Sequence, residues 1–119
     1  MKVRCVALTD AFGKQTSHSS WLKIGATYHV LSIIIEPTRT LFRLIGEEAV
    51  PALFEPKLFE LVSSAVPPSW VVTSARPGFL DLEPEAWSAR GFWESFYDRE
   101  PDALSCFEKW RRIIQAEDP

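Results

Sequence analysis

Leu22-Lys23-Ile24-Gly25-Ala26-Thr27-Tyr28-His29-Val30, continued by Leu31-Ser32-Ile33-Ile34-Ile35, is the stretch on which the fold turns. From Thr27 onward, apolar residues fall on both parities. Tyr28, Val30 and Ile34 share one, and Leu31, Ile33 and Ile35 the other, as in a strand covered on both faces. Gly25 permits a sharp bend just before it. Glu36-Pro37-Thr38 ends the run, because proline removes a ladder donor and holds Glu36 extended. Arg39 to Ile45 returns as a second strand, with Thr40, Phe42 and Leu44 expected inward and Arg39 and Arg43 outward. This hairpin is the expected centre of the fold.

Short strands surround it. Val3 to Leu8 reads as one, and Thr9 to Ser20 as a long polar loop without periodicity. Pro51 confines Ala49 to Phe54 to a sheet edge. Lys57 to Ser63 alternates, and Trp70-Val71-Val72-Thr73 follows the Pro67-Pro68 break. Pro77-Gly78 is a turn signal. Five or six short strands with no helix between them imply an antiparallel sheet, strongly bent or closed into a small barrel, over residues 3–82. Beyond that the period changes to that of helices, over 84–116. Glu83-Pro84-Glu85 has the composition of a helix start, and Pro101 opens another helix with Leu104, Phe107, Trp110, Ile113 and Ile114 on one stripe. The expectation is a single α+β domain, 1–119.

Composition narrows the function classes. With 119 residues there is room for one core, and a net charge of −3 argues against a nucleic-acid binder, which carries a basic footprint. The apolar part of Met1 to Leu8 is too short for a signal peptide, and Ile33-Ile34-Ile35 is too short to span a bilayer. No membrane association and a cytoplasmic location are therefore expected. Cys5 and Cys106 are one pair, a whole chain apart, and are expected to be reduced buried thiols. Neither His18 nor His29 has neighbours at metal-ligand spacing, so no metal and no cofactor are expected. There is no Gly-x-Ser-x-Gly and no glycine-rich phosphate loop, since Gly13-Lys14 lacks the other glycines. The expectation is that the chain is not an enzyme.

Charge layout says more. Residues 81–108 hold eight acids against Arg90 and Arg99 alone, interleaved with Trp87, Phe92, Trp93, Phe96 and Tyr97. Acids steer a basic partner and large rings anchor it. Amphipathic helices with rings in the core and acids in solvent produce the same pattern, so both readings stand. Under the first, the partner-binding residues are Glu94, Asp98, Glu100 and Asp102, with Trp93 and Tyr97.

Two resemblances bear on these residues. Leu22-x-Ile24-Gly25-x-x-Tyr28-x-Val30, followed by the Phe42 strand and a proline-rich bend, resembles SH3-like small barrels over about the first two-thirds of the chain. A short acidic β-domain with a Trp-rich helical end is also similar to bacterial immunity proteins of polymorphic toxin and contact-dependent growth inhibition systems. The second resemblance implies an antitoxin that occludes the active site of a cognate toxin domain. That toxin would be a basic nuclease, with carboxylates standing in for substrate phosphates. The first implies an alternative, a regulatory or scaffold module binding a peptide or ligand in a groove lined by Trp21, Tyr28 and Trp70. Neither resemblance transfers a functional residue position by position.

Overall fold

The hairpin forms where the turn chemistry places it. In the computed structural model, which describes residues 1–119, β5 (Ser32–Ile35) pairs antiparallel with β6 (Thr40–Ile45), with Ile35 opposite Thr40. Glu36 N–H donates to the Arg39 carbonyl (2.8 Å) and Arg39 Nε to Glu36 Oε1 (2.7 Å), which closes the turn around Pro37.

The preceding residues are not one continuous strand. β4 (Thr27–His29) pairs with β1 (Lys2–Cys5), in a sheet ordered β4-β1-β8 with β8 at Phe59–Ser63. β5 belongs to a second sheet, ordered β7-β6-β5-β10-β9, with β7 at Pro51–Phe54, β9 at Trp70–Thr73 and β10 at Leu80–Pro84. Val30 and Leu31 carry the chain from one sheet to the other. Val30 N–H reaches the Met1 carbonyl and Leu31 N–H the Arg43 carbonyl, and both side chains are buried. Apolar residues on both parities therefore mark a change of sheet rather than one doubly covered strand.

All strand pairs are antiparallel. β7, with Pro51, lies at an edge as expected. The larger sheet keeps two open edges, so the small-barrel alternative is not formed and the α+β sheet arrangement is. β2 (Leu8–Thr9) and β3 (Gln15–Thr16) make a short hairpin that begins at the end of the expected first strand and occupies part of the Thr9–Ser20 segment expected to be loop. Asp10 Oδ1 organises its tip by accepting from the Phe12 and Lys14 N–H groups.

β6 is covered on both faces. Phe42 packs beside Phe59 of β8, with ring centroids 6.2 Å apart, and Leu44 is fully buried on the same parity. On the other, Leu41 and Arg43 are also buried, and the Arg43 guanidinium lies 3.6 Å from the centre of the Trp93 ring. Arg43 thus points inward, contrary to the simple alternation, because helices cover the second face of the strand.

Those helices start later than the composition implies. β10 runs through Pro84, a single 3-10 turn spans Glu85–Ser88, and α1 covers Phe92–Tyr97. α2 covers Pro101–Glu117, with Pro101 in its first turn. Phe107 and Ile114 are buried, while Leu104, Trp110 and Ile113 are half-buried, so the α2 stripe faces the protein. One core cluster joins Val3, Cys5, Val30, Leu44, Trp87 and Ile114 from both sheets and both helical segments. No helix is long and apolar enough to cross a membrane.

Gly46 is fixed by close approach. A Cβ there would be driven onto the Trp21 carbonyl oxygen, which accepts the Glu47 N–H at 2.9 Å.

Candidate functional site

The corner between α1 and α2 gathers most of the expected binding residues. α1 ends in a Schellman arrangement: Arg99 N–H donates to the Phe96 carbonyl (2.9 Å) and Glu100 N–H to the Ser95 carbonyl (3.0 Å). The residue in the left-handed position is Arg99, at φ 61°, where glycine is usual. Pro101 then starts α2 at once.

Glu94, Asp98, Glu100 and Asp102 are all exposed on this corner, and none makes a side-chain hydrogen bond or ion pair within the chain. Glu100 and Asp102 border a shallow depression with Arg90, Ser95 and Cys106. Acids elsewhere are mostly committed. Glu36, Glu55, Glu60 and Glu108 pair with Arg39, Lys57, Arg4 and the Arg111–Arg112 pair. Glu47 accepts the Tyr28 hydroxyl, and Glu117 the Ser69 N–H. Arg111 and Arg112 hold the Glu108 carboxyl below its usual range.

The rings among these acids divide sharply. Trp93 is half-buried and packs against Trp87, Phe96 and Phe107 at 5.5–6.0 Å between centroids, with Arg43 on its face. Trp87 stacks on Phe107 at 5.0 Å and is fully buried. Most of this aromatic set is therefore interior, held by edge-to-face and stacked contacts. Tyr97 is different. Half of it is exposed, and its hydroxyl donates to the Pro51 carbonyl at 2.9 Å.

Glu83, counted by sequence among the acids of this segment, is instead buried at 3% exposure. Its carboxylate accepts from Arg43 (3.3 Å), Ser32 Oγ (3.0 Å) and Ser88 Oγ (3.1 Å). Burial pushes its carboxyl above the usual range despite these partners. It belongs to the interior and adds nothing to a surface.

Tyr97 also lines a groove of about 610 Å³ that sequence reasoning did not find. Its walls are Ile45, Ala49, Val50 and Pro51 from the β6–β7 connection, Phe96 and Tyr97 from α1, and Leu104 and Phe107 from α2. Arg99, Glu108 and Arg111 supply its charges. Ala49 (φ 59°) and Arg99 are the two non-glycine residues of the chain with positive φ, and both line this groove. Strain of this kind concentrates at functional sites. No glycine marks either position, so the sequence carried no signal for it.

The Trp21–Tyr28–Trp70 groove is not formed. Tyr28 and Trp70 are buried in the core and only Trp21 is exposed. Tyr28 is further tied by its hydroxyl, which accepts the Lys23 N–H and donates to Glu47. Cys5 and Cys106 are unbridged. No group of three or more His, Cys, Asp or Glu side chains converges.

No protein-family pattern matches the chain, and it finds no match among curated proteins or solved structures.

Proposed function

We propose that this chain is an inhibitory binding protein, an immunity protein that occludes the active site of a basic toxin domain through its α1–α2 corner. The observation that carries the reading is the contrast between acids. Glu94, Asp98, Glu100 and Asp102 lie exposed and unpartnered on one corner, whereas most others are tied to their own chain. The exposed carboxylates of Glu94, Asp98, Glu100 and Asp102 outnumber the exposed Arg90 and Arg99 of the same segment, and the net negative potential favours a positively charged partner. Short, packed elements hold the corner: the Schellman closure of α1, the Pro101 start of α2 and the aromatic cluster beneath. A preorganised patch loses little entropy on binding. Tyr97 is the exposed ring best placed to act as an anchor beside the acids.

The test is growth rescue. The chain is co-expressed with the toxin domain encoded in the neighbouring reading frame, alongside a variant carrying Asp98→Lys and Glu100→Lys. Rescue by the native chain, lost in a variant whose circular dichroism is unchanged, supports the proposal. Equal rescue by both removes the corner from the interface, and absence of any rescue removes the immunity reading.

A further inference from the structure

We infer that the groove between the β6–β7 connection and the two helices is a ligand site for a small molecule with an apolar body and one carboxylate. The inference differs from the acidic-corner reading in the charge it uses, a guanidinium in place of carboxylates, although Tyr97 and Arg99 border both.

Arg99 carries it. A side chain in the left-handed region is disfavoured by its Cβ, and the Schellman position takes glycine most readily. The chain instead places an arginine there. Its guanidinium has no hydrogen bond or ion pair in the fold, and Arg99 is an exposed residue at the groove lining. Arg111, the other groove arginine, is already committed: Nε donates to Glu108 Oε2 at 2.8 Å and Nη1 to Gln115 Oε1 at 2.9 Å. Glu108 is neutralised by this pairing and by Arg112. The groove therefore has one unpaired arginine in an otherwise largely apolar lining.

A guanidinium fork matches a carboxylate in bidentate geometry. The apolar walls suit an aliphatic or flat aromatic body, and about 610 Å³ lies within the usual range of small-molecule sites. Asp98 and Glu100 flank Arg99 in the chain but do not line the groove. Their field opposes any anion at its mouth and polyanions most, so the charge that fits is the smallest one the guanidinium can hold, a single carboxylate. On the facing wall Ala49 holds the second strained backbone, which keeps Val50 and Pro51 against the opening.

The probe is decanoate, kept below its micellar range, with decanamide as the uncharged isostere, each titrated against 15N-labelled protein. The expected result is saturable shifts at Val50, Tyr97 and Leu104, with decanamide at least tenfold weaker. Arg99→Gly should raise the thermal midpoint by a few degrees, since it relieves the left-handed strain. The same change should weaken decanoate at least tenfold. Arg99→Gln keeps a side chain at that position and should weaken decanoate as much, so it decides the matter if the glycine variant fails to fold. Equal binding of acid and amide, undiminished binding by the variants, shifts confined to another face, or no shifts at all would each overturn the inference.

Discussion

Arg43 and Glu83 meet at 3.3 Å inside the larger sheet, one on β6 and one on β10, with Ser32 of β5 between them. Both are buried, and burial lowers the arginine pKa and raises that of the glutamate in spite of their attraction. Both shifts have the same cause, loss of water around each charge, and it outweighs the pairing.

The pair should therefore be costly to break and cheap to replace. Arg43→Met alone should cost about 3–5 kcal/mol at neutral pH, because it strands a buried carboxylate. Arg43→Met combined with Glu83→Leu should be near neutral or stabilising. The sign with pH follows from Glu83. Its folded pKa is raised, so stability from this group is present below the unfolded value and lost as pH rises toward the folded one. The deficit of Arg43→Met should shrink on acidification across the range above the ordinary glutamate value, where the buried Glu83 carboxyl of the variant takes up its proton before that of the native protein. Urea denaturation at several pH values measures both. A deficit that is flat or grows on acidification would show that Glu83 is not the group responsible.

Gly46→Ala should destabilise by about 1–3 kcal/mol, the cost of overpacking, because the new Cβ meets the backbone carbonyl of Trp21. Gly91→Ala is the comparison. It meets no atom within 4 Å and bears only the left-handed strain of φ 78°, roughly 1–2 kcal/mol. Denaturant midpoints that put Gly91→Ala as the worse of the two would contradict the close approach at Gly46.

Phe107→Ala should cost on the order of 3–5 kcal/mol, since the ring is buried and stacked on Trp87 at 5.0 Å between centroids. Trp110→Ala, at a half-buried position, should cost less. A reversed order in thermal or chemical denaturation would mean that α2 docks on a different face.

Reversing Asp98 and Glu100 to Lys should leave folding stability nearly unchanged, because exposed charges contribute little. Affinity for a basic toxin domain should fall tenfold or more, chiefly through the association rate, and native binding should weaken with added salt. Stopped-flow association at two ionic strengths reads this directly. An unaltered rate would place the interface on other acids, of which Glu48 is exposed and unpartnered.

The parts of the fold legible in sequence are those decided by local chemistry. Glu36-Pro37-Thr38 fixes the hairpin turn, Pro51 the edge strand and Pro101 the start of α2. What was hidden depends on partners far away in the chain. Arg43 looks like an outward residue until Glu83, forty positions on, supplies its counterion and Trp93 its lid. The run from Thr27 to Ile35 gives no local sign that it changes sheet at Val30 and Leu31. At the candidate site, the acids and Tyr97 could be picked out from composition, but the depth of Trp93 could not, because helical spacing fixes a face and leaves its covering open. The groove was invisible because its strained positions hold alanine and arginine in place of glycine.

The sheet order has a consequence for the sequence of folding events. β1 sits between β4 and β8, so Val3 must find Tyr28 on one side and Leu61 on the other. β5, β6 and β7, by contrast, are joined by short turns and can zip in succession. Closing the long loop to β8 has an entropic cost that only later contacts offset. In refolding, amide protection should arise first in β5–β7 and last in β1; early protection of β1 in pulsed hydrogen exchange would reverse that order. During synthesis β1, made before both of its neighbours, is then the last to be enclosed, waiting with its apolar side chains uncovered until residue 63 has left the ribosome.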